Sequence, residues 1–390
     1  MGDATLIGCR AVTPGGILDD AAIEIADGQI VAIEARTGRE IGTMRDLGGL
    51  TVLPGFIDLH IHGAGGADTH AGEIAALAAF LPRCGVTAFL PTLAADAEAR
   101  TVAALRAVGA ASAAGGARRG ATILGAHLEG PFLNPARAGA IPPEHLHPAE
   151  PARLARLLDA APGAVRLMTV APDAPGALDL IPALVAAGVV VSLGHTAADY
   201  DLFRRAIDAG ARHTTHLFNA MTGIGHRAPG AAGAALTDER ITVELIADGE
   251  HIHPAILALA VRAKGIAGVA LVSDAVGPAG LPPGEYAWLG RRVRSDGATV
   301  RLPDGTLAGS LGTLDRALQT MIAPLPRGAG LSLADAAITL ATVPARILGL
   351  ASKGTLAPGY DADLAAVDDR GMVRLTIVGG EVVYGVLAGG

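Results

Sequence analysis

Hydrophobic and polar positions follow two different rhythms along this chain. Near the start, Thr5–Cys9, Ala22–Ile25 and Gln29–Glu34 are short β-rich pieces punctuated by Pro14-Gly15-Gly16 and Asp27-Gly28. Near the end, Leu364–Val367, Val373–Val378 and Glu381–Tyr384 repeat that rhythm, with Gly379-Gly380 as a hairpin turn. Two similar β-rich ends around a different middle predict one small β-sandwich domain built from residues 1–53 and 354–390.

Residues 54–353 alternate apolar strand-like runs with Ala/Leu-rich helical stretches. The predicted strands are Phe56–His62, Ala88–Thr92, Ile123–Glu129, Arg166–Ala171, Val189–His195, His213–Phe218, Thr242–Ala247 and Val269–Asp274. Helical patterns at Glu73–Arg83, Ala97–Gly109, Pro151–Ala160, Asp199–Gly210 and Pro254–Lys264 lie between them. Eight strands separated mostly by helices predict an α/β chain with a (β/α)8 TIM barrel. An open doubly wound sheet is the alternative, but the lone Gly-rich turn Gly63-Ala64-Gly65-Gly66 is not its phosphate-binding fingerprint.

Composition narrows the class. Of 390 residues, 51% are hydrophobic and 17% charged, enough for a large core. A formal net charge of −8 with 3% aromatic residues excludes a nucleic-acid binder, which needs a cationic footprint and stacking rings. Mean hydropathy is +0.43, but the uncharged run Leu180–Gly194 is broken by Pro182 and Gly188. It falls short of the roughly 20 apolar residues that cross a bilayer. The two cysteines, Cys9 and Cys84, read as reduced thiols of a cytoplasmic protein.

The chemistry sits where the predicted strands end. His60-Ile61-His62 closes the first, His127-Leu128-Glu129 the third, His195 the fifth, His216 the sixth and Asp274 the eighth. Barrel strands converge at their C-terminal ends, so these residues are expected to meet at one mouth. A His-x-His pair on a strand points both rings to one face. With a carboxylate and further histidines opposite, the set suits Zn²⁺, and also Fe²⁺, Mn²⁺ or Co²⁺. The other histidines read as structural or solvated, with His70 a candidate for the mouth and Asp58 placed deeper behind His60.

These residues carry a resemblance. Pro54-Gly55-Phe56-Ile57-Asp58-Leu59-His60-Ile61-His62 resembles the opening of the amidohydrolase superfamily, and Lys353-Gly354-Thr355-Leu356-Ala357-Pro358-Gly359 its return to a small β-domain. His127-Leu128-Glu129-Gly130-Pro131-Phe132, Gly194-His195-Thr196, His216-Leu217-Phe218-Asn219-Ala220-Met221, Ala247-Asp248-Gly249-Glu250-His251 and Val272-Ser273-Asp274-Ala275 resemble its N-acetylglucosamine-6-phosphate deacetylase branch. The resemblance implies metal-dependent removal of the N-acetyl group from an amino-sugar 6-phosphate. It implies a principal divalent metal on Glu129, His195 and His216, a second one helped by His60 and His62, and Asp274 as general acid and base. Ala140, Ile141, Asn219, Ala220, Arg227, Asp248, His251, Leu307, Ala308 and Gly309 fall on substrate-contacting positions. Relatives share a phosphate contact between subunits, which implies a homodimer.

One stretch departs from the pattern. The family runs Lys-Gly-Ala and then His or Gln, whereas this chain has Arg137-Ala138-Gly139-Ala140-Ile141. Ile141 has no hydrogen-bonding group, which predicts altered sugar selectivity. His127 and His145 are the alternatives for polarising the scissile carbonyl. Deacetylation of a galactosamine, mannosamine or unphosphorylated analogue is the second reading, and a catalytically silent scaffold the third.

Overall fold

A computed structural model describes residues 4–38, 43–114 and 120–385. Eight parallel strands form the barrel: β1 (Phe56–Ile61), β2 (Val86–Ala94), β3 (Ala126–Glu129), β4 (Val165–Val170), β5 (Val190–Leu193), β6 (His213–Thr214), β7 (Thr242–Ile246) and β8 (Val269–Val272). Each pairs in parallel with its successor, in chain order from β1 to β8. The ring closes through a parallel bridge between Ile61 and Ala275, with Asp274 N donating to His60 O at 2.8 Å. Strands covered on both faces are mostly apolar, and all nine residues of β2 are buried.

Helices surround the barrel. Where they press hardest, side chains are small: in the helix Gly230–Thr237, every residue from Gly230 to Leu236 is buried. Asp199 caps the helix Tyr200–Ala209 by accepting from Leu202 N at 2.8 Å. The helix Ala177–Ala186 escaped the sequence reading because Pro182 lies inside it. No described helix is long and apolar enough to cross a membrane.

Both chain ends join one eight-stranded sheet. Leu364–Val367 runs antiparallel to Thr51–Pro54, which lies beside Ala4–Thr13. The sheet has its own apolar cluster, including Leu6, Ile23, Ile30, Val52, Leu364 and Ile377. Residues 1–3 and 386–390, the outer edges of the predicted terminal domain, lie outside the described residues. Lys353 anchors the return from the barrel through Asp361 at 2.9 Å and Asp363 at 2.6 Å. Cys9 and Cys84 are free and buried, and burial pushes each thiol up to about 12.

Two differences from the expected elements bear on the site. The regular part of β6 is only His213–Thr214, because the chain turns inward before His216. After β8, a small antiparallel sheet of Gly284–Trp288, Arg291–Ser295 and Val300–Arg301 rises beside the barrel mouth. Its strands are short, Arg-rich and half exposed, so they carry no strong apolar signal.

Candidate functional site

Four successive strands each present a polar side chain two residues past their last paired position: His195 after β5, His216 after β6, Asp248 after β7 and Asp274 after β8. The backbone leaves the extended conformation there. His195, His216 and Asp274 adopt φ of 48°, 27° and 49°, a left-handed conformation costing on the order of 1–3 kcal/mol for a residue with a Cβ. Asp and His tolerate it better than most side chains. The strained turns swing the three side chains over the end of the barrel, towards Glu129 on β3 and the His60/His62 pair of β1.

The result is a buried cluster of imidazole nitrogens and carboxylate oxygens. Glu129 Oε1 lies 3.0 Å from His195 Nε2 and 3.1 Å from His216 Nε2, and those two nitrogens are 3.1 Å apart. Asp274 Oδ1 lies 3.3 Å from His60 Nε2 and 3.2 Å from His62 Nε2, which are 3.2 Å from each other. Glu129 joins the groups, with Oε1 3.5 Å from His60 and Oε2 3.3 Å from His62. All six residues expected to make the metal and acid–base machinery therefore converge.

The donor set fits divalent metal. His195 Nδ1 donates to Arg137 O at 2.8 Å, and His60 Nδ1 donates to Glu244 Oε2 at 3.1 Å. Neutral rings so tied present bare Nε2 lone pairs to the centre, where each faces a second imidazole nitrogen. Lone pairs in contact repel unless a cation lies between them. An ion about 2.0–2.1 Å from its ligands spaces them roughly 3 Å apart, close to the separations found. Without such an ion the charges fall on the rings. Burial opposes protonation of His60 and His62, but the carboxylates of Asp274 and Glu129, joined by Glu244 at His60, outweigh it and raise both rings, His62 to about 9. Burial would raise Glu129 and Asp274, yet the neighbouring histidines hold both below the usual carboxylate range.

A cavity of about 510 Å³ opens above the cluster. His62, Glu129, His195, His216 and Asp274 line its floor, and Ala140, Ile141, Asn219, Ala220, His251, Leu307 and Gly309 its walls. Three expected contacts are placed elsewhere. Ala308, fully buried, lies beneath the wall made by Leu307 and Gly309. Asp248 sits behind His251, accepting from its Nδ1 at 2.7 Å, from its backbone N at 2.9 Å and from Ser310 Oγ at 3.0 Å. Burial favours neutral His251, but the hydrogen bond to Asp248 wins and raises the ring, while the same contact holds Asp248 down at about 2. Arg227 is exposed on the loop 222–229 and does not line the cavity of its own chain.

Neither alternative for carbonyl polarisation reaches the cavity. His127 is fully buried, with Nδ1 3.1 Å from Thr92 Oγ1 and Nε2 2.7 Å from Thr169 Oγ1. His145 faces Asp96 at 3.5 Å, away from the lining. The His70 side chain is buried beside the same Asp96, at 3.7 Å, and does not line the mouth. Asp58 lies deep as expected, accepting from the backbone of His60 and Ser273 at 3.2 Å each, and burial pushes it up to about 7.

The sequence reading missed Arg301, Thr306 and Trp288 on the cavity wall, and Glu244 beneath the cluster. The first three belong to or follow the unexpected small sheet. Trp288, the one tryptophan of the chain, packs with Ile141 in an apolar cluster and stands edge-on to His62, ring centroids 5.6 Å apart. Glu244 is a lone carboxylate in an apolar strand, and that was a usable signal, since a buried charge requires partners.

The profile of the amidohydrolase family matches residues 51–383. The chain belongs to the amidohydrolase family. Among curated relatives, the N-acetylgalactosamine-6-phosphate deacetylase of Escherichia coli O157:H7 is 38% identical, the match covering 92% of this chain and 93% of the relative. The N-acetylglucosamine-6-phosphate deacetylase of Bacillus subtilis is 36% identical, over 96% of this chain and 95% of the relative. Among solved structures, a mutant N-acetyl-D-glucosamine-6-phosphate deacetylase from Mycobacterium smegmatis in complex with N-acetyl-D-glucosamine-6-phosphate superposes with a TM-score of 0.91 at 35% identity. That match covers 98% of this chain and all of the other. Within the amidohydrolases, the resemblance therefore extends over the barrel and the terminal sheet together.

Proposed function

We propose that this amidohydrolase removes the N-acetyl group of N-acetylglucosamine 6-phosphate, yielding glucosamine 6-phosphate and acetate. The observation that carries the reading is the convergence of Glu129, His195, His216, His60, His62 and Asp274 at the floor of a cavity walled by Asn219, Ala220 and His251. Deacetylases of hexosamine 6-phosphates, related to the chain along nearly its whole length, support it.

Glu129, His195 and His216 would hold the principal ion, and His60, His62 and Asp274 surround a second position. Zn²⁺ suits these donors, and Fe²⁺, Mn²⁺ or Co²⁺ are accommodated by the same set. When bound, such an ion supplies water acidified towards neutral pH and polarisation for a carbonyl oxygen. The protein moves the proton. Asp274, ionised and open to the cavity, takes a proton from the attacking water as the C–O bond forms. It returns that proton to the amide nitrogen as the C–N bond breaks, so the amine leaves neutral.

The phosphate dianion calls for cationic donors, and His251 is held towards its charged form by Asp248. Arg227 adds a fork suited to phosphate oxygens. Its place on an exposed loop, beside Ile224 at 56% exposure, is best used across a homodimer, with the loop reaching the partner's cavity. We place the enzyme in the cytoplasm, where two buried thiols stay reduced.

Acetate release from a panel of N-acetylhexosamines, with and without 6-phosphate, tests the reading on protein of known metal content. The gluco 6-phosphate is expected to be the preferred substrate, and release only from unphosphorylated sugars would refute the phosphate assignment. Ile141 offers a sharper handle. Ile141→His is expected to change the gluco-to-galacto preference by about 5- to 150-fold, since one buried hydrogen bond made or lost is worth about 1–3 kcal/mol. An unchanged ratio would remove Ile141 from the account of selectivity.

A further inference from the structure

Glu244 has no place in the chemistry above, yet it is among the most constrained side chains in the molecule. It lies on β7, fully buried, on the barrel side of the metal cluster. Three donors converge on it. Oε2 accepts from His60 Nδ1 at 3.1 Å and from the backbone N–H of His216 at 3.0 Å, and Oε1 accepts from His213 Nε2 at 3.0 Å. His213 is itself oriented from behind, its Nδ1 2.7 Å from Thr242 Oγ1. Two of the three contacts belong to residues proposed to hold metal, and they come from opposite parts of the ring, β1 and the turn after β6.

We propose that Glu244 is the positioning residue of the metal centre: one carboxylate fixes the orientation and tautomer of His60 and pins the turn that presents His216. The geometry requires an acceptor-only group. A carboxylate oxygen facing Nδ1 keeps the His60 proton there and leaves the Nε2 lone pair for the centre. Its charge also makes that ring a stronger donor, as carboxylate partners do for metal-bound histidines. The shared oxygen locks His60 and the His216 backbone to one point, so the two halves of the cluster keep a common register. The inference rests on the metal reading of the cluster and adds a determinant of it that touches neither metal nor substrate.

Glu244→Gln is the informative variant because the fold should tolerate it. The amide oxygen can still accept from His60 and His216, and the amide NH₂ can face His213 Nε2 if that ring moves its proton to Nδ1, opposite Thr242 Oγ1. Only the charge and the certainty of the His60 tautomer are lost. Zn²⁺ is titrated into metal-free full-length wild type, Glu244→Gln and Glu244→Asp against a chromophoric chelator, and the metal-free forms are melted in parallel. The Asp variant retains charge but falls short of the three donors.

Both variants are expected to bind the more weakly held Zn²⁺ about 10–100-fold less tightly, and Glu244→Gln to keep a metal-free melting temperature close to wild type. A folded variant of either kind that binds Zn²⁺ as tightly as wild type overturns the proposal. So does a loss of affinity in Glu244→Gln matched by collapse of its metal-free melting temperature, which would make Glu244 a fold residue only. A wild type that takes up no Zn²⁺ overturns the metal reading first and this inference with it.

Discussion

Asp274→Asn is expected to lower kcat for acetate release by about 10²–10⁴-fold, the usual weight of a general acid–base group, while the protein stays folded. Two features make this a clean test. Asparagine is isosteric and is among the residues that best tolerate a left-handed backbone, so the strained turn at φ 49° should survive. The hydrogen bonds around Asp274 also differ from those around Glu129. His195 and His216 meet Glu129 and not Asp274, so the principal metal position should keep its ion. Steady-state kinetics alongside elemental analysis checks both halves. Activity within tenfold of wild type would remove Asp274 from the proton path. Loss of metal in step with activity would recast it as a ligand.

Stripping divalent metal with a chelator is expected to abolish acetate release and lower the melting temperature by several degrees. An ion that binds only the folded state adds about 2.7 kcal/mol of stability when present at a hundred times its Kd. Here it also relieves the crowding of Glu129, Asp274 and Glu244 with four imidazoles in a buried space. Trp288 gives an optical readout, because the one tryptophan of the chain stands 5.6 Å from the His62 ring. Its emission should change on chelation and return with Zn²⁺ in proportion to recovered activity. Full activity and an unmoved melting curve after verified metal removal would defeat the metal reading outright.

Much of this protein was legible in its residues. Short apolar runs such as Ala88–Thr92 read as strands covered on both sides, and eight of them alternating mostly with helices leave few architectures. The polar residues closing those runs marked the site, because barrel topology brings C-terminal strand ends together however far apart they lie in the chain. Similar β-rich ends foretold the shared terminal sheet, where Leu364–Val367 meets Thr51–Pro54.

Other things were decided only by tertiary structure. Ala308 and Asp248 carry suitable positions in the sequence, yet one lies under the wall and the other serves His251 from behind, because alternation and turn geometry choose which side chain faces the cavity. His127 shares a strand face with Glu129, but it lies deeper in the barrel, where Thr92 and Thr169 hold it below the cavity. Trp288 and Arg301 reach the wall from a small sheet whose strands are too short and polar to register as a pattern. Glu244 shows the limit most plainly. By itself the sequence determined the barrel scaffold and the polar residues that close its strands, since both follow from local periodicity. Which buried carboxylate governs those residues depends on contacts between β7, β1 and the turn after β6, separated by up to 184 positions in the chain, and only the closed barrel brings them within a hydrogen bond.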